Sequence, residues 1–295
     1  MSACSTGIPS TGNQEGLPTL TYSPPPTTTL PTAPPTATLT PTDHPTPSPT
    51  SPPPSPTPLA CWQQGGAIEK KSIPSIWVSK PLTFRIYLPP CYDALPEQRF
   101  PVVYLLHGQT FREDQWDRLG ADEIANAGIA AGQLPAFIMV MPLDADDTTP
   151  PPENRFGEAL IHELIPTIDR EYRTLADRPF RAIGGISRGG NWAVHLGLRY
   201  WGFFSAIGAH STPTFSSDGP RAIKEWLDQI PPQEIPRIFM DSGEDDIWLN
   251  YTLRFEALLD QENIPHEWHL FPGEHDEAYW AAHMEQYIYW YTQDW

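Results

Sequence analysis

Short apolar segments alternate with longer amphipathic ones from residue 82 to the end of the chain. Residues 82–88 alternate apolar and polar side chains, which is typical of a half-buried strand. Residues 101–106 and 136–141 are continuous apolar runs, as in strands covered on both faces. Further strands are predicted over residues 181–186, 203–209, 235–240 and 266–271.

Segments with helical periodicity separate these strands. They cover residues 121–131, 157–172, 189–200, 247–262 and 276–291. Pro166 is expected to kink the second of them. Regular alternation of strands and helices predicts an α/β domain with a mostly parallel central sheet and helices on both faces. Residues 212–228 fit neither pattern clearly, and we expect a small lid-like insertion there.

The first 60 residues have a different composition from the rest. Of the 37 prolines, 17 lie in residues 1–60, and the first Lys or Arg is Lys70. A Thr/Pro/Ser tract of this kind buries too little apolar surface to offset the entropy of ordering it. The chain therefore divides into a disordered tail or spacer over residues 1–60 and a globular domain over residues 61–295. The tail either holds the domain away from a surface or has no role.

Charge and hydropathy bear on binding to nucleic acid and on association with membranes. The formal net charge is −18, which argues against nucleic acid and anionic membrane surfaces as partners. No apolar stretch approaches the 18 residues of a transmembrane helix.

The three cysteines bear on location. Small residues precede Cys4, as at the end of a bacterial lipoprotein signal, so Cys4 is either lipidated or a chance cysteine. Cys61 and Cys91 are then the remaining pair. A disulfide between them would indicate an oxidising, extracytoplasmic location, secreted or lipid-anchored at the bacterial cell surface; two buried free thiols are the alternative.

The strongest chemical signal is a Gly-x-Ser-x-Gly pentapeptide centred on Ser187. It lies between a predicted strand and a predicted helix, which is the setting of a nucleophile elbow. A sharp turn there projects the serine hydroxyl above the sheet, and the small glycines let strand and helix approach closely. The alternative is a glycine-rich turn with a structural serine.

A serine needs a base and an acid, and in this architecture they follow it in the order acid, then histidine. His275 comes after the last predicted strand and before the last helix, whereas four other candidates lie within or beside predicted elements. Those four are His195, His266, His269 and His283. Asp246 is the preferred acid because it directly precedes a helix. Asp245 and Glu244 are the less favoured alternatives.

An oxyanion hole is expected at the end of the strand over residues 101–106. The backbone N–H groups of Gln109 and Arg188 are the predicted donors, and His107 is expected to shape the turn. The acidic loops at residues 144–147 and 241–246 also suggest calcium, but neither has the spacing of a dedicated calcium loop, so we expect both loops to be solvated. We expect no cofactor and no metal.

Taken as an ordered set, these motifs resemble the esterase-D-type putative esterase family of α/β-hydrolases. The matching segments are YLLHG at 104–108, FGEALIHELIPTIDREYRT at 156–174, GGISRGG at 184–190, GEDD at 243–246 and GEHD at 273–276. The family includes feruloyl and acetylxylan esterases, S-formylglutathione hydrolases, enterochelin esterases and mycolyltransferases. The resemblance implies an α/β-hydrolase fold with Ser187, Asp246 and His275 as the triad. Arg188 stands where the family usually has a methionine after the nucleophile. The backbone donor is unaffected, but the arginine side chain could alter the charge of the pocket.

The expected function is therefore a serine carboxylic-ester hydrolase that forms an acyl-enzyme. A small-molecule or carbohydrate ester is the expected partner, and Trp192, Trp226, Trp248 and Trp280 are candidates for binding sugars or phenolic rings. The alternatives are an acyltransferase using the same triad, a surface-displayed binding module without activity, and, less favoured, a peptidase.

Overall fold

A single eight-stranded sheet organises the part of the chain that the computed structural model describes, residues 60–295. Cys4 and the tail up to residue 59 lie outside the described residues. The strand order is β1-β2-β4-β3-β5-β6-β7-β8. The strands are β1 (Ala67–Ile73), β2 (Leu82–Leu88), β3 (Val102–Leu106), β4 (Ile138–Pro142), β5 (Arg181–Ile186), β6 (Ala206–His210), β7 (Arg237–Gly243) and β8 (Glu267–Phe271).

Strands β3 to β8 run parallel, and β1 and β2 add an antiparallel edge. All residues of β3, β5 and β6 are buried, as expected for parallel strands covered on both faces. The edge strand β1 was not predicted, because its sequence AIEKKSI is mostly polar and exposed. The α/β architecture with a mostly parallel sheet is confirmed.

Helices cover both faces of the sheet. They are α1 (Gln115–Arg118), α2 (Ala121–Ala130), α3 (Phe156–Ala159), α4 (Ile165–Glu171), α5 (Arg188–Arg199), α6 (Pro220–Leu227), α7 (Leu249–Gln261) and α8 (Glu277–Thr292). Short 3-10 turns lie at Ala60–Gln63, Arg178–Phe180, Trp201–Phe203 and Pro232–Glu234. Apolar side chains of α3 to α7 fill one core, and those of α2 and α8 fill the other.

Two helical segments differ from the sequence expectation. The helix expected over 157–172 is divided by a π-helical turn at Leu160–Leu164, and Pro166 lies just after that turn, in the first turn of α4. Within the expected lid-like insertion, α6 buries Ile223 and Leu227 in the core. This part of the insertion is therefore packed into the domain.

A disulfide joins Cys61 to Cys91, as expected, and closes a loop of 30 residues. It ties the start of the described chain to the segment after β2. No helix within residues 60–295 combines the length and the hydropathy that crossing a bilayer requires.

Candidate active site

Ser187 lies in the sharp turn between β5 and α5. Its backbone has a φ of +54° and a ψ of −117°, a conformation that residues other than glycine rarely adopt. The flanking glycines make the turn sterically possible. A Cβ at Gly185 would lie 2.0 Å from the carbonyl carbon of Gly189, and a Cβ at Gly189 would lie 2.1 Å from the Leu106 carbonyl oxygen. The expected strand–turn–helix context is therefore present.

Asp246 and His275 reach Ser187 from the loops after β7 and β8. The His275 Nε2 atom lies 2.8 Å from the Ser187 Oγ atom, and the His275 Nδ1 atom lies 2.8 Å from the Asp246 Oδ2 atom. In this chain of hydrogen bonds, the serine hydroxyl donates to Nε2 and the Nδ1–H donates to the carboxylate. The three residues come from loops after β5, β7 and β8, because parallel strands bring their carboxyl ends to one edge of the sheet.

Further donors hold the Asp246 carboxylate. The Trp248 N–H donates to Oδ1 at 2.7 Å, and the Ser242 hydroxyl donates to Oδ2 at 3.1 Å. Burial alone raises the pKa of Asp246, but the hydrogen bonds from His275, Trp248 and Ser242 outweigh burial and lower the pKa below its ordinary value. Asp246 is therefore ionised at neutral pH and able to fix the orientation of His275. The neighbouring Glu244 and Asp245 are exposed.

The turn after β3 lies against this site. Gln115 accepts a hydrogen bond from the Gly108 N–H at 2.7 Å, and Asp147 accepts one from the Thr110 N–H at 2.7 Å. Within residues 60–295, the intervening Gln109 N–H donates no hydrogen bond. Gln109 and Ser187 line the same cavity, and Arg188 begins α5 directly after Ser187.

The side chain of Arg188 is buried in an ion pair. Its Nε and Nη2 atoms lie 3.1 and 2.9 Å from the Asp144 Oδ2 atom, and Nη2 also donates to the Thr149 carbonyl oxygen. The Trp192 indole N–H donates to the same Oδ2 at 2.9 Å. We expected this acidic loop to be solvated, and for Asp144 that is wrong. The charge that Arg188 brings is neutralised beside the nucleophile.

His107 links this acidic loop to the turn after β3. The Asp144 N–H donates to the His107 Nε2 atom at 3.0 Å, so Nδ1 carries the proton and donates to the Gly108 carbonyl oxygen at 2.8 Å. Burial lowers the pKa of His107, which keeps the ring neutral in this arrangement.

The site opens into a cavity of about 360 Å³. Ser187 and His275 line it together with Phe111, Trp248 and Trp280. Of the four tryptophans considered for ring binding, Trp192 and Trp280 are buried core residues, and Trp226 packs half-buried against the core. Trp248 is 41% exposed and is the candidate that faces solvent beside the site.

The four other histidines considered as the base serve other contacts. His195 pairs with Asp218 at 2.9 Å inside the domain, and His266 and His283 bond backbone carbonyl oxygens of their own segments. His269 lies within β8, stacked between two phenylalanine rings.

The sequence profile of a family described as "Putative esterase" matches residues 77–291, nearly the whole described domain. The chain belongs to this esterase family. The expected resemblance is thus confirmed, and the class of enzyme that the family supports is a carboxylic-ester hydrolase.

Curated relatives of the chain are named as esterases. An endo-1,4-beta-xylanase/feruloyl esterase from Xylanibacter ruminicola is 34% identical over 180 residues, which cover 54% of this chain and 24% of that protein. An esterase from Mycobacterium tuberculosis is 33% identical over 125 residues, covering 39% of this chain and 25% of that protein. The chain therefore spans about a quarter of the length of these relatives.

Solved structures share the fold. A ferulic acid esterase superposes with a TM-score of 0.69 at 22% identity, and the alignment covers 78% of this chain and 98% of that one. At this identity the similarity shows the α/β-hydrolase fold alone.

Proposed function

We propose that this chain is a serine carboxylic-ester hydrolase in which Ser187 is the nucleophile, His275 the general base and acid, and Asp246 the residue that orients His275. The observation that carries the proposal is the continuous chain of hydrogen bonds from Ser187 through His275 to Asp246, with both links at 2.8 Å. A hydroxyl on a strained turn, within hydrogen-bond reach of an oriented imidazole, is the arrangement that activates serine.

The reaction has two halves. The Ser187 Oγ atom bonds to the ester carbonyl carbon while its proton passes to the His275 Nε2 atom. The oxyanion of the tetrahedral intermediate accepts hydrogen bonds from the Gln109 and Arg188 N–H groups. The bond from carbon to the alcohol oxygen then breaks, and His275 gives its proton to the departing alcohol. Water attacks the acyl-enzyme by the same route and releases the acid.

The substrate class follows from the relatives and from the site. The Xylanibacter ruminicola relative bears the name of a feruloyl esterase, which favours esters of phenolic acids or of carbohydrates. Aromatic side chains on the cavity wall, among them Phe111 and Trp248, suit a planar ring or the flat face of a sugar. No step of this mechanism calls on a metal or a cofactor.

Hydrolysis of p-nitrophenyl acetate, p-nitrophenyl butyrate and methyl ferulate by the full chain tests this proposal. We expect turnover that falls by at least about a thousandfold in Ser187→Ala, because the variant lacks the nucleophile. The matched control is Ser72→Ala, which removes an exposed serine hydroxyl of β1 outside the proposed triad and the active-site cavity. A fluorophosphonate probe should label the unmodified protein and the control but not Ser187→Ala. Equal hydrolysis by Ser187→Ala and the unmodified protein would refute the role of Ser187.

A further inference from the structure

A second cavity of about 440 Å³ adjoins the active site. Trp248 lines both cavities, so the two share one wall. The walls of the second cavity come from the segment after β6 and from α7, and they are largely apolar, with Phe215, Phe255 and Leu258 among them. Nothing in the mechanism above uses this space.

Aromatic side chains lead from the active site into this cavity. Trp248 and Tyr251 are 41% and 45% exposed, and their rings meet edge to face with centroids 5.7 Å apart. The Trp248 N–H is hydrogen-bonded to the Asp246 carboxylate, so the backbone of this residue is fixed to the proposed triad. Large exposed aromatic rings in a fixed position are suited to stacking on a ring of the substrate.

A cationic side chain, that of Arg254, lies next to these two aromatic rings and extends them into a row of three residues, Trp248, Tyr251 and Arg254. The Arg254 guanidinium lies over the Tyr251 ring, 4.9 Å from its centroid, and also lines the cavity. Among residues 60–295, no carboxylate forms an ion pair with Arg254, although the chain has 36 acidic residues. The acidic residue on the cavity wall, Asp218, is already engaged by His195 and Ser217. The cavity thus offers an unpaired cation on a largely apolar and aromatic wall.

The position of this row indicates which part of an ester would reach it. In the proposed mechanism the leaving alcohol takes its proton from His275. His275 is hydrogen-bonded to Asp246, and the Trp248 N–H donates to the same carboxylate. Arg254 follows Trp248 by six residues, which places it about 9 Å further along α7. An alcohol group that leaves on this side of His275 would extend past Trp248 toward Arg254.

From these observations we infer that the Trp248–Tyr251–Arg254 row binds the alcohol portion of the ester, and that this portion contains a ring bearing a carboxylate. The inference rests on the proposed function and adds a substrate class to it. The rings of Trp248 and Tyr251 stack on the substrate ring, and the planar guanidinium pairs with the carboxylate in the geometry that arginine favours.

A matched pair of rigid esters tests the inference. The substrates are 6-acetoxy-2-naphthoate, which has a carboxylate at the far end of the alcohol, and 6-acetoxy-2-naphthamide, which is neutral there. We expect the full chain to hydrolyse the carboxylate with a kcat/KM about fivefold higher than the amide, a ratio that added salt lowers. Arg254→Gln should bring the ratio to about one by lowering kcat/KM for the carboxylate about fivefold.

The control variant is Arg221→Gln, which removes an equal charge from an exposed arginine outside both cavities and should keep the ratio. Stronger inhibition by methyl β-D-glucuronide than by 6-hydroxy-2-naphthoate would identify the ring as a sugar acid, and the reverse as an aromatic acid. A ratio near one in the unmodified protein, or the same ratio in Arg254→Gln, would overturn the inference while leaving the esterase proposal intact. Absence of hydrolysis of both naphthyl esters and of p-nitrophenyl acetate would overturn both.

Discussion

Two carboxylates with opposite pKa shifts show how the surroundings of a single residue set its charge. Asp246 gains hydrogen bonds from three donors, and its pKa is lowered although it is buried. Asp122, in the first turn of α2, has the pKa raised to about 7 by burial, by a hydrogen bond with Glu123 and by the negative charges of Glu123 and Asp117. Its Oδ1 atom is buried without a hydrogen-bond partner among residues 60–295. Burial raises the pKa of both carboxyls, so the donors around Asp246 and the neighbouring carboxylates around Asp122 separate the two.

Asp122 predicts a pH-dependent stability. Its folded-state pKa of about 7 exceeds the ordinary value of 3.8, so its favourable contribution is complete below pH 3.8 and is lost as the pH rises through 7. Asp122→Asn should therefore raise the free energy of unfolding by about 1 kcal/mol more at pH 8 than at pH 4, after allowance for solvent screening. Thermal unfolding at the two pH values measures this difference. Glu285→Gln, which removes an exposed carboxylate of α8, is the control, and an equal effect of Asp122→Asn at both pH values would contradict the prediction.

At the scale of elements, a buried polar network fastens α8 to the sheet. The Asp241 carboxylate, at the end of β7, accepts hydrogen bonds from the Tyr279 and Tyr287 hydroxyls and from the His210 Nδ1–H, at 2.6 to 2.7 Å. The Tyr291 hydroxyl donates to the His210 Nε2 atom at 2.8 Å. Because α8 directly follows the loop that carries His275, this network also fixes the end of that loop.

Loss of one donor to Asp241 should loosen this attachment. Tyr287→Phe leaves a fully buried carboxylate with one hydrogen bond fewer, so we expect the free energy of unfolding to fall by about 2 kcal/mol. Chemical denaturation measures it. Tyr289→Phe is a matched control, because its hydroxyl donates to Gln133 at the surface, and it should cost less than about 0.5 kcal/mol. Equal losses in the two variants would show that the network contributes nothing beyond a surface hydrogen bond.

For the whole molecule, the disulfide constrains the chain before the parallel sheet begins. Cys61 lies in the first described turn, and Cys91 follows β2, the strand that pairs with both β1 and β4. The bond therefore holds the antiparallel edge of the sheet in a closed loop. This role belongs to the whole fold, because a disulfide stabilises chiefly by restricting the unfolded chain.

Removal of this disulfide should destabilise the domain. For a 30-residue loop, the double variant Cys61→Ser/Cys91→Ser should lower the free energy of unfolding by about 3 to 4 kcal/mol. Guanidinium unfolding measures the loss, and Cys4→Ser, which keeps the disulfide, is the control. Intact mass with and without reductant checks the bond directly. Free thiols at Cys61 and Cys91 without reductant, or unchanged stability in the double variant, would contradict the prediction.

Local pattern was enough to predict most of the fold. The sequence pattern places strand β5 and helix α5 within one residue of their observed ends. Burying a strand or a helix in the core requires apolar residues at a characteristic spacing, and this spacing is visible in the local sequence. The sequence pattern does not predict the edge strand β1. This strand pairs with β2 on one side only and is mostly exposed, so its side chains need not be apolar.

The sequence by itself determined the order of the elements, the turn that carries Ser187, and the short set of candidates for its base and acid, because these depend on neighbours along the chain. Only the tertiary structure decided which of three adjacent carboxylates meets His275, that Arg188 is neutralised by Asp144, and that Trp248 is exposed while Trp192 and Trp280 are buried. Each of these depends on contacts between loops far apart in sequence. Such loops meet only when the parallel strands bring their carboxyl ends to the same edge of the sheet.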